Sequence, residues 1–191
     1  VADRSDRSEV SLLLQRLNAG DATAFSDLVP LVYHELRYRA GRYLSTRGNG
    51  HTLQPTALVH EAFLRLVGRE SAWKGSLHFH NALAEVMRQI LVSHARGKAA
   101  AKRGGAAVRV EFEGIDVAAG EDAADWVGLD DALKALRAMD ERRYQVVMLR
   151  YFAGLTDAQV AEKLDVSEKT VERDWATARA FLFAELERDN R

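Results

Sequence analysis

The sequence predicts an all-α protein, with two helical domains joined by an acidic linker and a helix-turn-helix in the second domain. Three observations predict it. Apolar residues recur at three- and four-residue spacing through residues 1–103 and again from Leu129 onward. No segment alternates like a strand, and no internal repeat occurs. Between the two periodic stretches, residues 104–128 mix Gly, Ala and acids with little periodicity, as a linker does. The charge divides in the same way. Residues 1–110 hold 16 Lys/Arg against 9 Asp/Glu, a net of +7; residues 111–129 hold six acids and no base. Residues 130–191 hold 11 bases against 13 acids. Parts so different in charge suggest different partners.

The first helix is expected over Ser8 to Asn18, with Leu12, Leu13 and Leu17 inward and Gly20 as its stop. Asp21 caps a second helix carrying Phe25, Leu28 and Val29. Pro30 is expected to kink or restart it, after which Leu31, Val32, Leu36, Ala40 and Leu44 continue the stripe. Arg47 to Gly50 reads as a loop. Pro55 suits the first position of a third helix, whose Leu58, Val59, Ala62, Phe63 and Leu66 share one face. His60, Glu61, Leu64 and Arg65 fall on the other side. After a turn near Gly68 to Gly75, a long helix from about Leu77 to Lys102 buries Phe79, Leu83, Val86, Ile90 and Leu91. In the second domain, Leu129, Leu133 and Leu136 form one stripe and Tyr144, Val147, Met148 and Tyr151 the next.

The last third has the spacing of a DNA-reading helix-turn-helix. Thr156 and Gln159 make a capping box for a short helix with Val160, Ala161 and Leu164 inward. Leu164, Asp165 and Val166 form the tight turn, and Ser167 caps the second helix over a seam of Val171, Trp175, Ala178 and Leu182. Its open N-terminal face carries Glu168, Lys169, Thr170, Glu172, Arg173 and Ala176, with Asp174 as a third acid. Lys169 and Arg173 suit base-edge or phosphate contacts, and Glu168 or Glu172 suits the cytosine amino group. With so many acids on that face, the helix is expected to bind DNA weakly alone.

Other classes are excluded by what the chain lacks. No apolar run approaches the roughly 18–20 residues of a membrane span, and no signal peptide opens the chain. With no cysteine, thiol chemistry is absent, and a reducing cytoplasm is the expected location. No P-loop or Gly-x-Ser-x-Gly occurs, and His60-Glu61 lacks the second histidine of a zinc protease helix. The protein is therefore not expected to be an enzyme, and no cofactor is expected. His78 and His80 lack a third metal ligand.

Taken together, "LVYHELRYRAGRYL", "ALVHEAFLRL", "WKGSLHFHNALAEVMRQILVSHARGKAAAKRGG" and the helix-turn-helix resemble a bacterial extracytoplasmic-function (ECF) sigma factor. The "HTLQPTALVHEAFLRL" and "AAAKRGG" wording is similar to the subgroup often associated with Ser/Thr kinases. The resemblance implies a region-2-like domain over 1–103, a linker over 104–128 and a region-4-like domain over 129–191. It implies core RNA polymerase as partner, through the β′ clamp helices and the β flap, together with promoter DNA and no membrane. His60, Glu61, Leu64 and Arg65 match the polymerase-binding positions. The resemblance also implies opening of the −10 element, and extracting a base from its stack calls for aromatic or amide groups. Trp73, His78, Phe79, His80 and Asn81 are the candidates, although Phe79 equally fits the buried stripe of its helix. Arg88, Arg96, Lys98, Lys102 and Arg103 suit a phosphate-tracking face. Glu168, Lys169, Thr170, Glu172 and Arg173 then face the −35 element.

One departure stands out. The family's clamp-binding helix typically opens with acids of the kind Asp-x-Glu-Asp-Leu, whereas Gln54, Thr56 and Ala57 occupy the matching positions. Phosphorylation of Thr56 would return negative charge to a helix N-terminus that favours it. A Ser/Thr kinase acting at Thr56, with Thr52 as the secondary site, is the expected switch. Two further readings stay open: a free-standing helix-turn-helix regulator, and a sigma-like protein that no longer initiates transcription.

Overall fold

The computed structural model describes residues 2–44, 54–67, 73–101 and 126–189, and among them no strand occurs. Helix α1 spans Ala2–Asn18 and α2 spans Thr23–Leu44. Between them Gly20 takes φ 89°, the left-handed conformation that ends α1, and the Asp21 amide returns to the Arg16 carbonyl at 3.0 Å. The Asp21 carboxylate accepts from the Thr23 amide at 3.0 Å and so starts α2. Arg16 Nε donates to the same carboxylate at 2.9 Å, locking the corner.

Two expectations for this region are corrected. Leu12 points to solvent at 57% exposure, while Leu13 and Leu14 are buried. The inward stripe is Val10, Leu13, Leu14 and Leu17, an i, i+3, i+4, i+7 set. Of the kink or restart expected at Pro30, the restart does not occur, because α2 runs through that residue. Buried Ala24 and Leu28 before Pro30, and Leu36 and Ala40 after it, dock on one core, and that docking outweighs the lost amide.

Helix α3 spans Pro55–Val67, with Pro55 first and the Gln54 carbonyl accepting from the Leu58 amide at 3.0 Å. Its stripe of Leu58, Val59, Ala62, Phe63 and Leu66 is buried throughout. Phe63 meets Phe25 edge to face at 5.9 Å, which seats α3 on α2. Helix α4 spans Ser76–Ala101 and is buried on several sides, with Phe79, Leu83, Ala84, Val86, Met87, Ile90, Leu91 and Val92 inward.

Helix α5 spans Trp126–Met139 and begins three residues before the expected Leu129, because Trp126 itself packs into the core beside Phe152. Residues 102–125, most of the expected linker, lie outside the described residues. Asp140 caps α6, Glu141–Val147, by accepting from the Arg143 amide at 3.0 Å. Helix α6 widens into a π-helical turn, Met148–Phe152, closed by the Ala153 amide on the Met148 carbonyl and ended at Gly154 with φ 79°. Helices α7, Asp157–Leu164, and α8, Glu168–Asp189, complete the described chain.

The apolar interior is continuous across the two halves. Helix α4 packs against α3 on one side and against α5 and the π turn on another, so a single buried cluster runs from Val10 to Leu182.

Candidate functional site

Three surfaces carry the candidate residues. On α3, burial of one stripe leaves His60, Leu64 and Arg65 exposed and Glu61 half-exposed. Leu64 is 73% exposed, flanked by a Glu61–Arg65 ion pair of 2.5 Å one turn apart. The His60 ring lies 5.9 Å from that of Tyr33 on α2. The first turn holds no acid, and Thr56 there is half-buried. Thr52 lies outside the described residues.

At the entrance to α4, the Asn18 side chain grips the Trp73 backbone twice, donating to its carbonyl and accepting from its amide at 2.7 Å each. That clamp holds the half-exposed Trp73 edge-on to Phe79 at 5.3 Å and beside His78 at 5.6 Å. Phe79 and His80, expected among the groups that meet a strand, are both buried here. Phe79 packs under Trp73, and His80 Nδ1 donates to the Ser76 carbonyl at 2.7 Å. Burial, and then the nearby Lys163 ammonium, hold the His80 ring down to about 4, so it is neutral at pH 7. His78 is exposed and Asn81 half-exposed. Among the described residues no cluster of three or more His, Cys, Asp or Glu is placed to hold a metal ion.

Two residues of the expected basic face of α4, Arg88 and Arg96, are engaged. Arg88 is only 13% exposed; it binds Glu85 at 2.6 Å and pairs with Asp130 of α5. Arg96, more than half exposed, lies 3.5 Å from the same Asp130 carboxylate. Lys98 belongs to α4 but its side chain lies outside the described residues, as do Lys102 and Arg103.

On α7, the Thr156 hydroxyl accepts from the Gln159 amide at 3.3 Å while the Gln159 side chain accepts from the Thr156 amide at 2.8 Å. The turn passes through Asp165 at φ 53°, a left-handed conformation that an aspartate tolerates. Ser167 caps α8 by accepting from the Thr170 amide at 3.1 Å. Glu168, Lys169, Glu172 and Arg173 are exposed together, and half-exposed Thr170 shares its hydroxyl with Ser167 at 2.9 Å. Asp174 is a correction: it is 1% exposed and accepts from Arg142 of α6. Val171, Asp174, Trp175, Ala178 and Leu182 make one i, i+3, i+4 stripe, and that spacing was the available signal. The open face therefore balances two acids against two bases.

Against this geometry, the model of a family described as "ECF sigma factor" matches residues 7–188. The chain belongs to the ECF sigma factor family. A comparison with curated proteins returns no match.

As an ECF sigma factor the protein serves transcription initiation, and its partners are core RNA polymerase and promoter DNA. No described helix of this sigma factor is long and apolar enough to cross a membrane. Residue-by-residue reading missed the acids that hold the basic side chains of α4. Asp130 sits on α5, whose packing against α4 no local spacing reports, whereas Glu85 lies three residues before Arg88 on α4 itself, a spacing that could have found it.

Proposed function

We propose that this sigma factor divides its work among the three surfaces. The exposed face of α3, with His60, Glu61, Leu64 and Arg65, meets the β′ clamp helices of core polymerase. Trp73, His78 and Asn81, seated on the buried Phe79 and His80, and the bases of α4 serve the −10 element. The N-terminal face of α8 reads the −35 element as the second helix of a helix-turn-helix seated by the β flap. Residues 1–103 act as the region-2-like unit, 104–128 as linker and 129–191 as the region-4-like unit, in the cytoplasm. The observation that carries this reading is α3, where a large apolar side chain, Leu64, stands 73% exposed within a charged rim opposite a fully buried stripe. Such a residue suits a partner surface.

The acid-free first turn of α3 supports a second element of the reading, that a Ser/Thr kinase activates the factor by phosphorylating Thr56. A phosphate there adds about −1.5 to −2 charges at the positive end of the helix. Charge-assisted hydrogen bonds are worth roughly 1.5–3 kcal/mol, so one new bond to the clamp raises affinity about ten- to hundredfold.

In-vitro transcription with purified core polymerase, with and without kinase treatment, tests the reading. Promoter-specific transcripts that rise with phosphorylation are expected. A protein that shifts promoter DNA without polymerase would instead be a free-standing helix-turn-helix regulator. One that binds polymerase, phosphorylated or not, and yields no transcript would be a sigma-like protein that no longer initiates.

A further inference from the structure

Of the three tryptophans in the chain, Trp126 and Trp175 are buried, at 2% and 6% exposure, and Trp73 is half-exposed. Its ring rests on Phe79 and stands beside His78. The chain that joins it to α4 is a weak hold. Gly75, two residues on, takes φ 123°, a conformation that L side chains rarely adopt, and a Cβ there would meet nothing within 4 Å. The Lys74 amide donates to His78 Nδ1 only at 3.4 Å, a long and weak bond.

The firm hold on the Trp73 backbone is Asn18, the last residue of α1 and 55 residues away in the chain. Its carboxamide presents an acceptor and a donor side by side, as a peptide group does, and both are used at 2.7 Å. Two bonds to one residue fix its position and its orientation together. Asn18 is braced in turn. The Arg16 guanidinium pairs with Asp21 at 2.8 Å and Asp27 at 3.3 Å, which joins the end of α1 to the start of α2. Gly20 closes the same corner at φ 89°. The clamp lies wholly within the residues that precede the linker, so it does not depend on the second half.

We propose that Asn18 is a positioning residue for promoter opening, holding Trp73 in the orientation in which its ring stacks on a base drawn from the −10 strand. Ordering left until binding subtracts from affinity, so a ring already in place captures the base more tightly than a swinging one. Asn18 acts through Trp73. Aspartate at this position keeps an acceptor for the Trp73 amide but loses the donor to its carbonyl, and alanine loses both. The inference rests on the reading that Trp73 meets the −10 strand.

The test uses the full chain, alone and reconstituted with core polymerase. The template is a duplex promoter that the wild type selects from a randomised library, beside the same promoter mismatched across the −10 element so that it is already open. Asn18→Ala, Asn18→Asp, Trp73→Ala and the double variant Asn18→Ala/Trp73→Ala are compared, and circular dichroism checks that each keeps its helices. In the free chain, Asn18→Ala is expected to raise acrylamide quenching of tryptophan fluorescence, to which buried Trp126 and Trp175 contribute little. On the duplex it is expected to lower open-complex formation about tenfold, the loss that follows if the unclamped ring is correctly placed about a tenth of the time. Asn18→Asp should fall in the same direction by less. Trp73→Ala should lose about ten- to hundredfold, the double variant no more than Trp73→Ala, and the mismatched template should restore much of each loss. Unchanged quenching in Asn18→Ala would show that the clamp does not hold the ring and overturn the inference. A general weakening of the fold would lower both templates alike and add to the Trp73→Ala loss, and either result also overturns it. So does normal duplex opening by Asn18→Ala where Trp73→Ala fails, with the −10 reading left standing. Normal opening by Trp73→Ala would instead remove that reading, and the inference with it.

Discussion

Arg142 of α6 donates from Nε to Oδ2 of Asp174 at 2.7 Å and from a second nitrogen to Oδ1 at 3.3 Å, and Asp174 lies buried beneath it on α8. The carboxylate also raises the Arg142 pKa, first through that hydrogen bond and then through its charge. The pair ties α6 to the helix that presents Lys169 and Arg173. In Arg142→Met the Asp174 charge is left with Arg143, at 3.8 Å. A loss of about 2 kcal/mol is expected, because a buried carboxylate loses its main partner while water reaches it only in part. Urea denaturation reads the difference, and a change below about 0.5 kcal/mol, the range of ordinary surface substitutions, would show that Asp174 is satisfied without Arg142.

Leu64→Ala separates folding from partner binding. An exposed side chain contributes little to stability, so a change within about 0.5 kcal/mol is expected in thermal melts. Affinity for core polymerase should fall about tenfold or more if Leu64 sits in the contact. Unchanged affinity would remove α3 from the polymerase interface.

For Thr56, polymerase pull-downs compare the wild type, Thr56→Ala, Thr56→Glu and kinase-treated protein. Binding should be strongest after kinase treatment, intermediate for the glutamate and weakest for the other two, since a carboxylate carries about half a phosphate's charge. Equal binding by all four would sink the switch.

The −35 surface is tested through Arg173→Ala in the holoenzyme. If Arg173 meets a base edge, discrimination at one promoter position falls by about 1–3 kcal/mol. If it meets phosphate, binding weakens equally on all sequences and the salt slope drops by about one. No change in either would place Arg173 off the DNA.

His80 sets an acid limit. Its folded pKa of about 4 lies below its ordinary value of 6.5, so the unfolded chain binds the proton first. Stability is whole above about pH 6.5 and declines as pH falls toward 4, by about 3 kcal/mol for a shift of this size. Glu85 is also held below its ordinary range, mainly by the Arg88 guanidinium against the cost of burial, so its loss comes at lower pH. Urea midpoints between pH 7.5 and 4.5 should slope steeply in the wild type and less in His80→Gln. Identical slopes would assign the acid sensitivity elsewhere.

Local readings succeeded where the cause is local. The α3 stripe from Leu58 to Leu66, the Thr156–Gln159 capping box and the Ser167 cap follow from spacing within one or two turns, and the geometry matches them. Errors arose where two registers competed. Leu12 and Leu14 are equally apolar, and only the docking of α1 on α2 and α4 selects Leu14. Asp174 was assigned by polarity to the open face, but its register is inward and Arg142 neutralises it there.

The sequence by itself determined the helical class, the order of the helices, the acid-free start of α3 and the exposure of Glu168, Lys169, Glu172 and Arg173 on α8, because helical periodicity and capping depend on neighbours a few residues apart. Only the tertiary structure decided that the two halves share a core and that Arg88 and Arg96, read as free phosphate contacts, meet Asp130 across the seam. It likewise decided that Phe79 and His80 face inward. A charge on a helix surface has the same local pattern whether it faces solvent, DNA or another helix; what it meets is set by packing between segments far apart in the chain.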